Sequence, residues 1–387
     1  MSAASVVRKA HVPNATLSVR EVCAALVRPA DLGAVERWLE RELAVEHAVA
    51  FASARAALAA SIAILAPGRS VALPGYTCVA VANALSSAGA TPCYVDVDGR
   101  GLVPSARWPK SAAAVLVQDT YGFVSELPAH CVVIRDAAHR IDLVARPGAT
   151  VSVTSFEHSK SLSAGQGGLA VTADAELAVR LRELRDRGGP SVPALRHGIV
   201  TLLSLGMGRA QFAGRNRAAG RISRIVRRLE PNRLVGQSDD EKRGAGVDSR
   251  LLGPPNRVVL ALMRSQLKGA DGARDHRARI VGIYDDVAGI DRTPDPLLRY
   301  PMQVADPASF EDRLRHAGWD LAGRWFVAPL HPVASDEPIL GYEPGTAPTG
   351  ERLAATVVNL PTHPLVRPRL AHDLMCAALD AGAQPVR

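Results

Sequence analysis

The chain has 387 residues and a net charge of +8, with 47% hydrophobic and 22% charged residues. This composition is typical of a globular protein and excludes a disordered or fibrous one. The five cysteines are scattered and form no Cys-x-x-Cys pair, which argues against a disulfide framework or a zinc site and favours a reducing compartment. The first residues lack the apolar core of a signal peptide, and no run approaches the roughly 18 apolar residues of a membrane span. We therefore expect a cytoplasmic protein without a metal.

The first regular elements are predicted from residue 31 onward, whereas residues 1–30 give no clear pattern. Asp31 is a candidate cap for a helix over Leu32–Leu43, and a short strand follows at Ala48–Phe51. Ser53 then begins an alanine-rich helix that runs to about Leu65. Because a helix N-terminus presents unpaired N–H groups and the positive end of the helix dipole, the start of this helix suits a phosphate.

Strands and helices alternate along residues 48 to about 175, and this alternation predicts a parallel, doubly wound sheet. Ligands in such sheets bind at the carboxyl ends of the strands. The strands predicted after Phe51 are Ser70–Pro74, Thr91–Val97, Ala112–Gln118, Cys131–Ile134 and the strand-like Ala149–Phe156. One helix is expected between Ser70–Pro74 and Thr91–Val97, and another at Asp174–Arg187.

Two chemically useful residues follow predicted strands. Asp136 comes just after Cys131–Ile134, and Lys160 lies shortly after the last predicted strand, directly before the glycine-rich Gly165-Gln-Gly-Gly168. A lysine that forms a Schiff base and an acid that keeps a proton on a pyridine nitrogen are what a pyridoxal phosphate (PLP) site needs. The ordered set therefore predicts a PLP enzyme, with Lys160 and Asp136 as its catalytic residues.

Several motifs resemble those of the DegT/DnrJ/StrS-type sugar aminotransferases, which are fold-type I PLP enzymes. They are Asp136-Ala-Ala-His139, Ser155-Phe-x-x-x-Lys160-x-Leu-x-x-Gly-x-Gly-Gly168, Ser53-Ala-Arg-Ala-Ala-Leu58, Leu73-Pro-Gly-Tyr-Thr-Cys78, Ala88–Asp98, Tyr121-Gly122 and Val358–Pro364. The resemblance starts near Leu32 and is poor between about Pro190 and Gly246. It implies an α/β fold with a large, doubly wound, mostly parallel sheet domain and a smaller C-terminal α+β domain.

The resemblance also implies cofactor-binding positions beside Lys160 and Asp136. His139 falls near the 3′-oxygen of PLP, while Ser155 and the start of the Ser53 helix fall near its phosphate. The family commonly has Gly-Thr where this chain has Ala54-Arg55. The backbone amides remain, and the Arg55 guanidinium either holds the phosphate or points to solvent. Cys78 replaces the aromatic ring that often stacks on PLP; buried packing is expected of it rather than nucleophilic chemistry.

Three further residues are candidates for substrate contact. By resemblance, the loop of Tyr121 lines the active site. His331 and His363 lie in Leu-x-His-Pro contexts, which predict loop positions. Asn256 stands near the place where the family supplies a phosphate-binding asparagine from the partner subunit, but its surroundings depart from the family pattern, and we do not transfer that role.

The positive charge is concentrated in one segment. Between Ala194 and Val235 nine arginines face a single acid, Glu230. Ile199–Met207 is apolar, and Arg209–Arg228 has apolar residues at helical spacing among the arginines. Such a basic amphipathic helix either packs against its own domain or a second subunit, or lies on an anionic membrane through residues 199–229. Nucleic-acid binding is not predicted, since no aromatic platform accompanies the arginines.

The chain is predicted to divide near residue 250. Residues 1–250 would form an N-terminal arm and the large domain, with the arginine-rich insertion at about 190–246, and residues 251–387 the small domain. Within the insertion, Gln237–Ala245 reads as a mobile loop. Later elements are predicted as helices at Val258–Leu267, Arg274–Val287 and Arg367–Leu379, and as strands at Arg324–Val327 and Thr356–Asn359.

The function implied by the resemblance is amino transfer from glutamate or glutamine to a keto sugar, through a Schiff base on Lys160, in a homodimer. The sugar would be linked to a nucleotide, or to a lipid if the basic segment touches membrane. Two alternatives stay open. One is another PLP reaction on the same fold, such as a dehydration or an amino-acid modification. The other is a non-catalytic relative that binds a sugar or a partner, which the departures at Ala54-Arg55 and Cys78 suggest.

Overall fold

The computed structural model describes residues 7–28, 30–129, 131–189, 192–229, 238–321, 324–332 and 340–386. Thirteen helices lie within these ranges. They are α1 (Val19–Val27), α2 (Leu32–Glu42), α3 (Ala54–Leu65), α4 (Val79–Ser87), α5 (Ala175–Arg187), α6 (Ala194–Phe212), α7 (Asn216–Leu229), α8 (Asp239–Lys242), α9 (Arg257–Lys268), α10 (Ala270–Val287), α11 (Pro307–His316), α12 (Pro348–Thr356) and α13 (Pro368–Asp380).

The same part of the chain contains fourteen strands. They are β1 (Arg8–Lys9), β2 (His47–Phe51), β3 (Ser70–Pro74), β4 (Thr77–Cys78), β5 (Thr91–Val95), β6 (Ala114–Gln118), β7 (Val133–Asp136), β8 (Val151–Ser155), β9 (Gly168–Thr172), β10 (Arg299–Gln303), β11 (Trp319–Asp320), β12 (Leu330–His331), β13 (Val357–Pro361) and β14 (Gln384–Pro385).

Seven strands form the central sheet, in the order β2-β9-β8-β7-β6-β3-β5. Strand β9 is antiparallel to both of its neighbours, and the other pairs are parallel. Residues of α3, α4 and α5 pack on one face of the sheet, and residues of α1, α2, α6 and α9 pack on the other. The strands are therefore buried on both faces, which explains why they read as continuous apolar runs. The prediction of a doubly wound, mostly parallel sheet is confirmed.

A smaller antiparallel sheet, in the order β13-β10-β14, lies in the last third of the chain. Helices α10 and α13 contribute to the core around this sheet. The N-terminal segment reaches this sheet through His11, which bonds the carbonyl of Asn359 on β13, while β1 pairs with β11 in a separate two-stranded sheet. Helix α9 packs with α1, α2 and α6 instead. The division at residue 250 stays a prediction, and the packing of α9 on the large sheet favours a boundary after this helix.

Several local predictions are wrong. Residues 324–327 form no strand; Phe326 has a positive φ of 56°, which does not fit a strand, and β12 forms further on, at Leu330–His331. Within the predicted loop Gln237–Ala245, of which Gln237 lies outside the described residues, α8 is present with a capping box between Ser238 and Glu241.

Two helices form in the arginine-rich segment, and their boundaries differ from the predicted ones. The helix break falls at residues 213–215, so the apolar stretch continues into α6 up to Phe212. The sequence analysis also missed α1, although Ser18 and Glu21 carry the Ser-x-x-Glu signature of the capping box that starts it. Among the described helices, none has both the length and the apolar character needed to cross a bilayer.

Candidate functional site

A cavity of about 400 Å³ opens at the carboxyl edge of the central sheet, in the size range of small-molecule sites. Strands β7 and β8 end there at Asp136 and Ser155, and α3 begins there at Ala54. Most of the predicted site residues line it, namely Lys160, Asp136, His139, Ser155, Ala54, Arg55, Cys78, His331 and His363. Tyr121 is buried and is not among the lining residues.

Asp136 is the last residue of β7 and is buried, with 6% of its surface exposed. Its carboxylate accepts a hydrogen bond from the Ala138 N–H at 3.0 Å. Burial raises the pKa of Asp136 to about 6, partly offset by the positive charge of Lys160 and by the Ala138 hydrogen bond. The carboxylate is therefore mostly ionised at neutral pH and able to accept a hydrogen bond from a protonated nitrogen.

His139 is held from two sides. The Tyr121 N–H donates to its Nδ1 at 3.0 Å, so the ring proton of the neutral imidazole lies on Nε2. Burial, with the positive charges of Lys160 and Arg299, lowers the pKa of His139 well below its usual value. The Trp325 ring stacks on the imidazole with centroids 4.9 Å apart. Tyr121 thus contacts His139 through its backbone N–H and does not line the cavity.

Lys160 lies in the loop between β8 and β9. Its Nζ is 4.8 Å from the centroid of the Trp325 ring. Glu157 also lines the cavity and accepts hydrogen bonds from both the N–H and the hydroxyl of Ser159. Burial by itself would raise the pKa of Glu157, but its contacts with His158, Lys160 and Ser159 hold that pKa well below the usual value. A permanent negative charge therefore accompanies the lysine.

Steric constraints explain why the end of this loop is rich in glycine. A Cβ at Gly168 would lie 2.3 Å from the backbone nitrogen of Ala54, so only glycine lets β9 start beside the N-terminus of α3. Gly167 has a φ of +124°, a region that glycine alone occupies readily. The Ser53 side chain caps α3 by accepting the Ala56 N–H. The loop and the helix end together form the wall at which a phosphate is expected.

Arg55 is neither exposed nor in a position to act alone. Its Nη1 lies 2.7 and 2.6 Å from the two carboxylate oxygens of Glu241, and only 9% and 1% of the two side chains are exposed. The interpretation in which Arg55 points to solvent is therefore wrong. A role in phosphate binding stays a prediction, and it has to be shared with a carboxylate that is 186 residues away in the sequence.

Strand pairing brings two predicted residues side by side. Strand β12 pairs in parallel with β4, so that His331 is the register partner of Cys78. Burial, with the charges of Arg299 and Arg324, lowers the pKa of His331 to about 4. The described cysteines form no disulfide.

The N-terminal arm and the small sheet close the cavity. His363 donates through Nε2 to the carbonyl of Ala10 at 2.8 Å, and His11 bonds the carbonyl of Asn359 at 3.0 Å. Burial lowers the pKa of His363 to about 3, so this imidazole is neutral at physiological pH. His363 and an N-terminal arm were predicted from the sequence, but the contribution of the arm to the cavity wall was not, because its residues carry no motif.

Two buried arginines in the cavity wall were also missed. The guanidinium of Arg277 donates to the Leu298 carbonyl at 3.1 Å and to the Thr362 hydroxyl at 2.7 Å. The guanidinium of Arg299 lies 3.8 Å from the Trp325 ring centroid. Burial lowers the pKa of Arg277 to about 10 and that of Arg299 to about 9. Neither carries a sequence signal, because one lies on an amphipathic helix and the other begins a short strand.

The lining is strongly cationic. Its basic residues are Lys9, Arg55, Lys160, Arg277 and Arg299, and its acids are Asp136 and Glu157. Some buried polar atoms of the lining have no hydrogen-bond partner within the described structure, namely Gln166 Nε2, Arg277 Nε, His331 Nδ1 and His363 Nδ1. Such atoms are costly unless a ligand or water satisfies them. An amine, a buried carboxylate, a helix N-terminus and the unsatisfied donors of Gln166 and Arg277 fit an anionic, nitrogen-containing ring such as PLP.

The chain is similar to known aminotransferases in both sequence and fold. Residues 30–207 match the DegT/DnrJ/EryC1/StrS aminotransferase family. One relative is the UDP-N-acetyl-3-dehydro-alpha-D-glucosamine 3-aminotransferase of Acidithiobacillus ferrooxidans, 31% identical over 241 residues, which are 56% of this chain and 61% of that protein. Another is the L-glutamine:2-deoxy-scyllo-inosose aminotransferase of Streptoalloteichus tenebrarius, 34% identical over 179 residues, 40% of this chain and 42% of that protein.

The fold has solved counterparts as well. The crystal structure of NtdA from Bacillus subtilis with bound cofactor PMP superposes with a TM-score of 0.67 at 15% identity, covering 96% of this chain and 85% of that one. The chain spans about three fifths of the length of the first curated relative and about two fifths of the second. Pyridoxal phosphate is the cofactor of this family. By the match over residues 30–207, which are a little under half of the chain, and by its fold, the chain is similar to the DegT/DnrJ/EryC1/StrS aminotransferase family.

Proposed function

We propose that this protein is an aminotransferase that moves an amino group from glutamate or glutamine to a keto sugar linked to a nucleotide or a lipid. The observation that carries the proposal is the convergence of Lys160 and Asp136 on one cationic cavity at the carboxyl edge of the sheet. The names of the relatives support the substrate class, since one acts on a UDP-linked keto sugar and another uses L-glutamine.

Different ends of the cavity offer partners for different parts of PLP. Asp136 would accept a hydrogen bond from the ring nitrogen, and its buried carboxylate would keep that nitrogen protonated. His139 would donate from Nε2 to the 3′-oxygen attached to the ring. Ser155 and the N-terminus of α3 would hold the phosphate, with Arg55 beside them. When bound, PLP supplies an electron sink for the carbon that loses or gains the amino group.

Lys160 would move the proton. Its Nζ is the amine that would take a proton from the substrate carbon as a general base and pass it to the C4′ carbon of the cofactor as a general acid. The Trp325 ring limits where this amine can lie, and Glu157 offsets its positive charge. His139, stacked on Trp325, fixes the position of that ring in turn.

The charge of the lining bears on the substrates. Since Arg55 is paired with Glu241, four other basic side chains against two acids leave an excess of positive charge in the cavity. Carboxylates of glutamate and phosphates of a nucleotide or lipid carrier would offset it, and guanidinium groups bind both kinds of anion well. An uncharged keto sugar alone would bring no negative charge to offset this excess.

The absorbance spectrum of the purified protein with PLP tests the proposal. We expect a visible band that is lost in Lys160→Ala, is kept in Lys110→Ala, whose lysine is exposed, and is bleached by glutamate or glutamine. A Lys160-dependent band that neither donor changes would favour another PLP reaction. A wild-type protein without a band would contradict the cofactor and favour the non-catalytic alternative.

Three further proposals do not depend on the cavity. The family resemblance supports a homodimer, which light scattering on the purified protein would test. The scattered cysteines, which include no Cys-x-x-Cys pair, support a cytoplasmic location. The third proposal, contact of residues 199–229 with a membrane, is based on the exposed surface of the hairpin formed by α6 and α7.

A further inference from the structure

The hairpin of α6 and α7 has one buried and one exposed helix. Helix α6 packs against α1 and α9, whereas α7 contacts α6 and buries only Ala219. The two helices run antiparallel: a Cβ at Gly206 would lie 3.9 Å from Ile222, and Arg196 donates a hydrogen bond to the carbonyl of Leu229. The start of α6 therefore lies beside the end of α7.

An apolar patch surrounds this end of the hairpin. Of the eight large hydrophobic side chains that are exposed in the described part of the chain, six lie on α1, α6 and α7, and five of these six lie toward this end of the hairpin. They are Val27 (79% exposed), Leu195 (67%), Ile225 (47%), Ile199 (40%) and Leu229 (37%). Leu195 and Ile199 are one turn apart, as are Ile225 and Leu229, so each pair shares a helix face. Contact between Leu26 and Gly198 brings the end of α1 to the same place.

The patch is surrounded by positive charge. The residues from Ala194 to Leu229 include eight arginines and no acid. Five of the arginines are exposed on α7, and no described acidic residue forms an ion pair with them. They are Arg217, Arg221, Arg224, Arg227 and Arg228. The patch and these arginines together constitute what we call the hairpin surface.

We propose that the hairpin surface docks on an anionic membrane, with the apolar patch inserted between headgroups and the arginines bound to phosphates. Aliphatic side chains set among arginines on an amphipathic helix are the usual composition of such a surface. Basic residues near an anionic leaflet add attraction that falls off within a Debye length.

Other occupants fit the surface less well. A second copy docking through this patch on a two-fold axis would place two arginine-rich helices against each other. A nucleic acid would meet exposed aliphatic side chains and no aromatic residue on α7. Only a lipid surface offers anionic groups above an apolar layer.

The hairpin is also connected to the catalytic loop. His197, near the start of α6, donates to the carbonyl of Ala164, four residues after Lys160, at 2.8 Å. If the proposed sugar aminotransfer holds, docking would bring the enzyme to the surface where a lipid-linked acceptor resides. The docking itself does not rest on the proposed function, since it needs only the surface.

Co-sedimentation with vesicles tests the proposal. We expect the wild type and Lys160→Ala to pellet with vesicles of phosphatidylcholine and phosphatidylglycerol, to stay in solution with phosphatidylcholine alone, and to be released by salt. Arg221→Gln/Arg224→Gln/Arg228→Gln should lower the partition coefficient at least about tenfold, since each arginine contributes separately. The control Arg69→Gln/Arg180→Gln/Arg369→Gln removes the same charge from exposed arginines elsewhere and should bind like the wild type.

The patch is tested separately. Leu195→Ser/Ile225→Ser should lose vesicle binding, and Val179→Ser, whose valine is 52% exposed on α5, should keep it. Circular dichroism shows whether each variant is folded. Absence of wild-type binding to anionic vesicles at low salt would overturn the proposal. Equal losses in the control variants would also overturn it. A variant of the patch that converts an oligomer to monomers would show that a second copy, and not a membrane, covers this surface.

Discussion

The buried ion pair of Arg55 and Glu241 gives a prediction with a definite magnitude. Glu241→Gln removes one charge but keeps the shape of the side chain and an oxygen to accept the Ser238 N–H in the capping box. Since only 9% and 1% of the two side chains are exposed, solvent screens the remaining guanidinium weakly. Removing one partner of a buried pair costs about 3–5 kcal/mol, and because Gln still accepts one hydrogen bond we expect a loss of about 3 kcal/mol.

A double-mutant cycle measures this interaction. The free energy of unfolding is determined by denaturant titration for the wild type, Glu241→Gln, Arg55→Met and the double variant. We expect a coupling energy of about 3 kcal/mol. The double variant should lose less unfolding free energy than the two single variants lose together, because it leaves no unpaired charge buried. Asp240→Asn, next to Glu241, breaks only an exposed pair with Arg243 and should change stability by no more than about 0.5 kcal/mol. A coupling energy below about 1 kcal/mol would refute the reasoning.

The same variant reports on phosphate binding. In Glu241→Gln the Arg55 guanidinium has lost its anion while it lines the cavity beside the N-terminus of α3. If Arg55 contributes to the phosphate site, PLP or inorganic phosphate should stabilise this variant more than the wild type. Equal stabilisation of the two proteins would show that Arg55 is structural.

Three more predictions concern the cavity. Asp136→Asn should weaken PLP binding and make it independent of pH, whereas wild-type binding should weaken as the pH falls below about 6. The free wild type should become more stable as the pH is lowered from about 6 to about 4. In this range its buried carboxyl holds a proton, whereas an unfolded aspartate loses its proton near pH 3.9. Gly168→Ala should lose PLP binding, measured by the visible band, since its Cβ would meet Ala54, while Gly189→Ala has open space and should bind normally. Trp325→Ala should lower kcat/KM about tenfold, and Trp325→Phe less, as the ring stacks on His139 and contacts Lys160; equal rates for both would argue against this role.

Residues that act near their own sequence neighbours were predictable. Asp136 and Ser155 end strands whose apolar runs are visible in the sequence, and the parallel sheet brings such ends to one edge. The spacing of Lys160 and the glycines was sufficient to predict the cofactor. Gly168 shows the limit of the pattern, since the need for glycine there comes from α3, more than 100 residues earlier.

Residues that act through distant contacts were not predictable. The partner of Arg55 lies on a short helix in a segment that reads as a loop, and Arg277, Arg299 and Trp325 come from the last third of the chain. No local period marks them, because each is placed by packing between elements far apart in sequence. The same holds for the basic amphipathic helix: its pattern predicts an apolar face, but only the packing on α6 decides which of those side chains are left exposed. The sequence by itself therefore determined the sheet, the lysine and its acid, whereas the tertiary structure decided the charge of the cavity and the surface of the hairpin, since both arise from groups that meet only when the chain is folded.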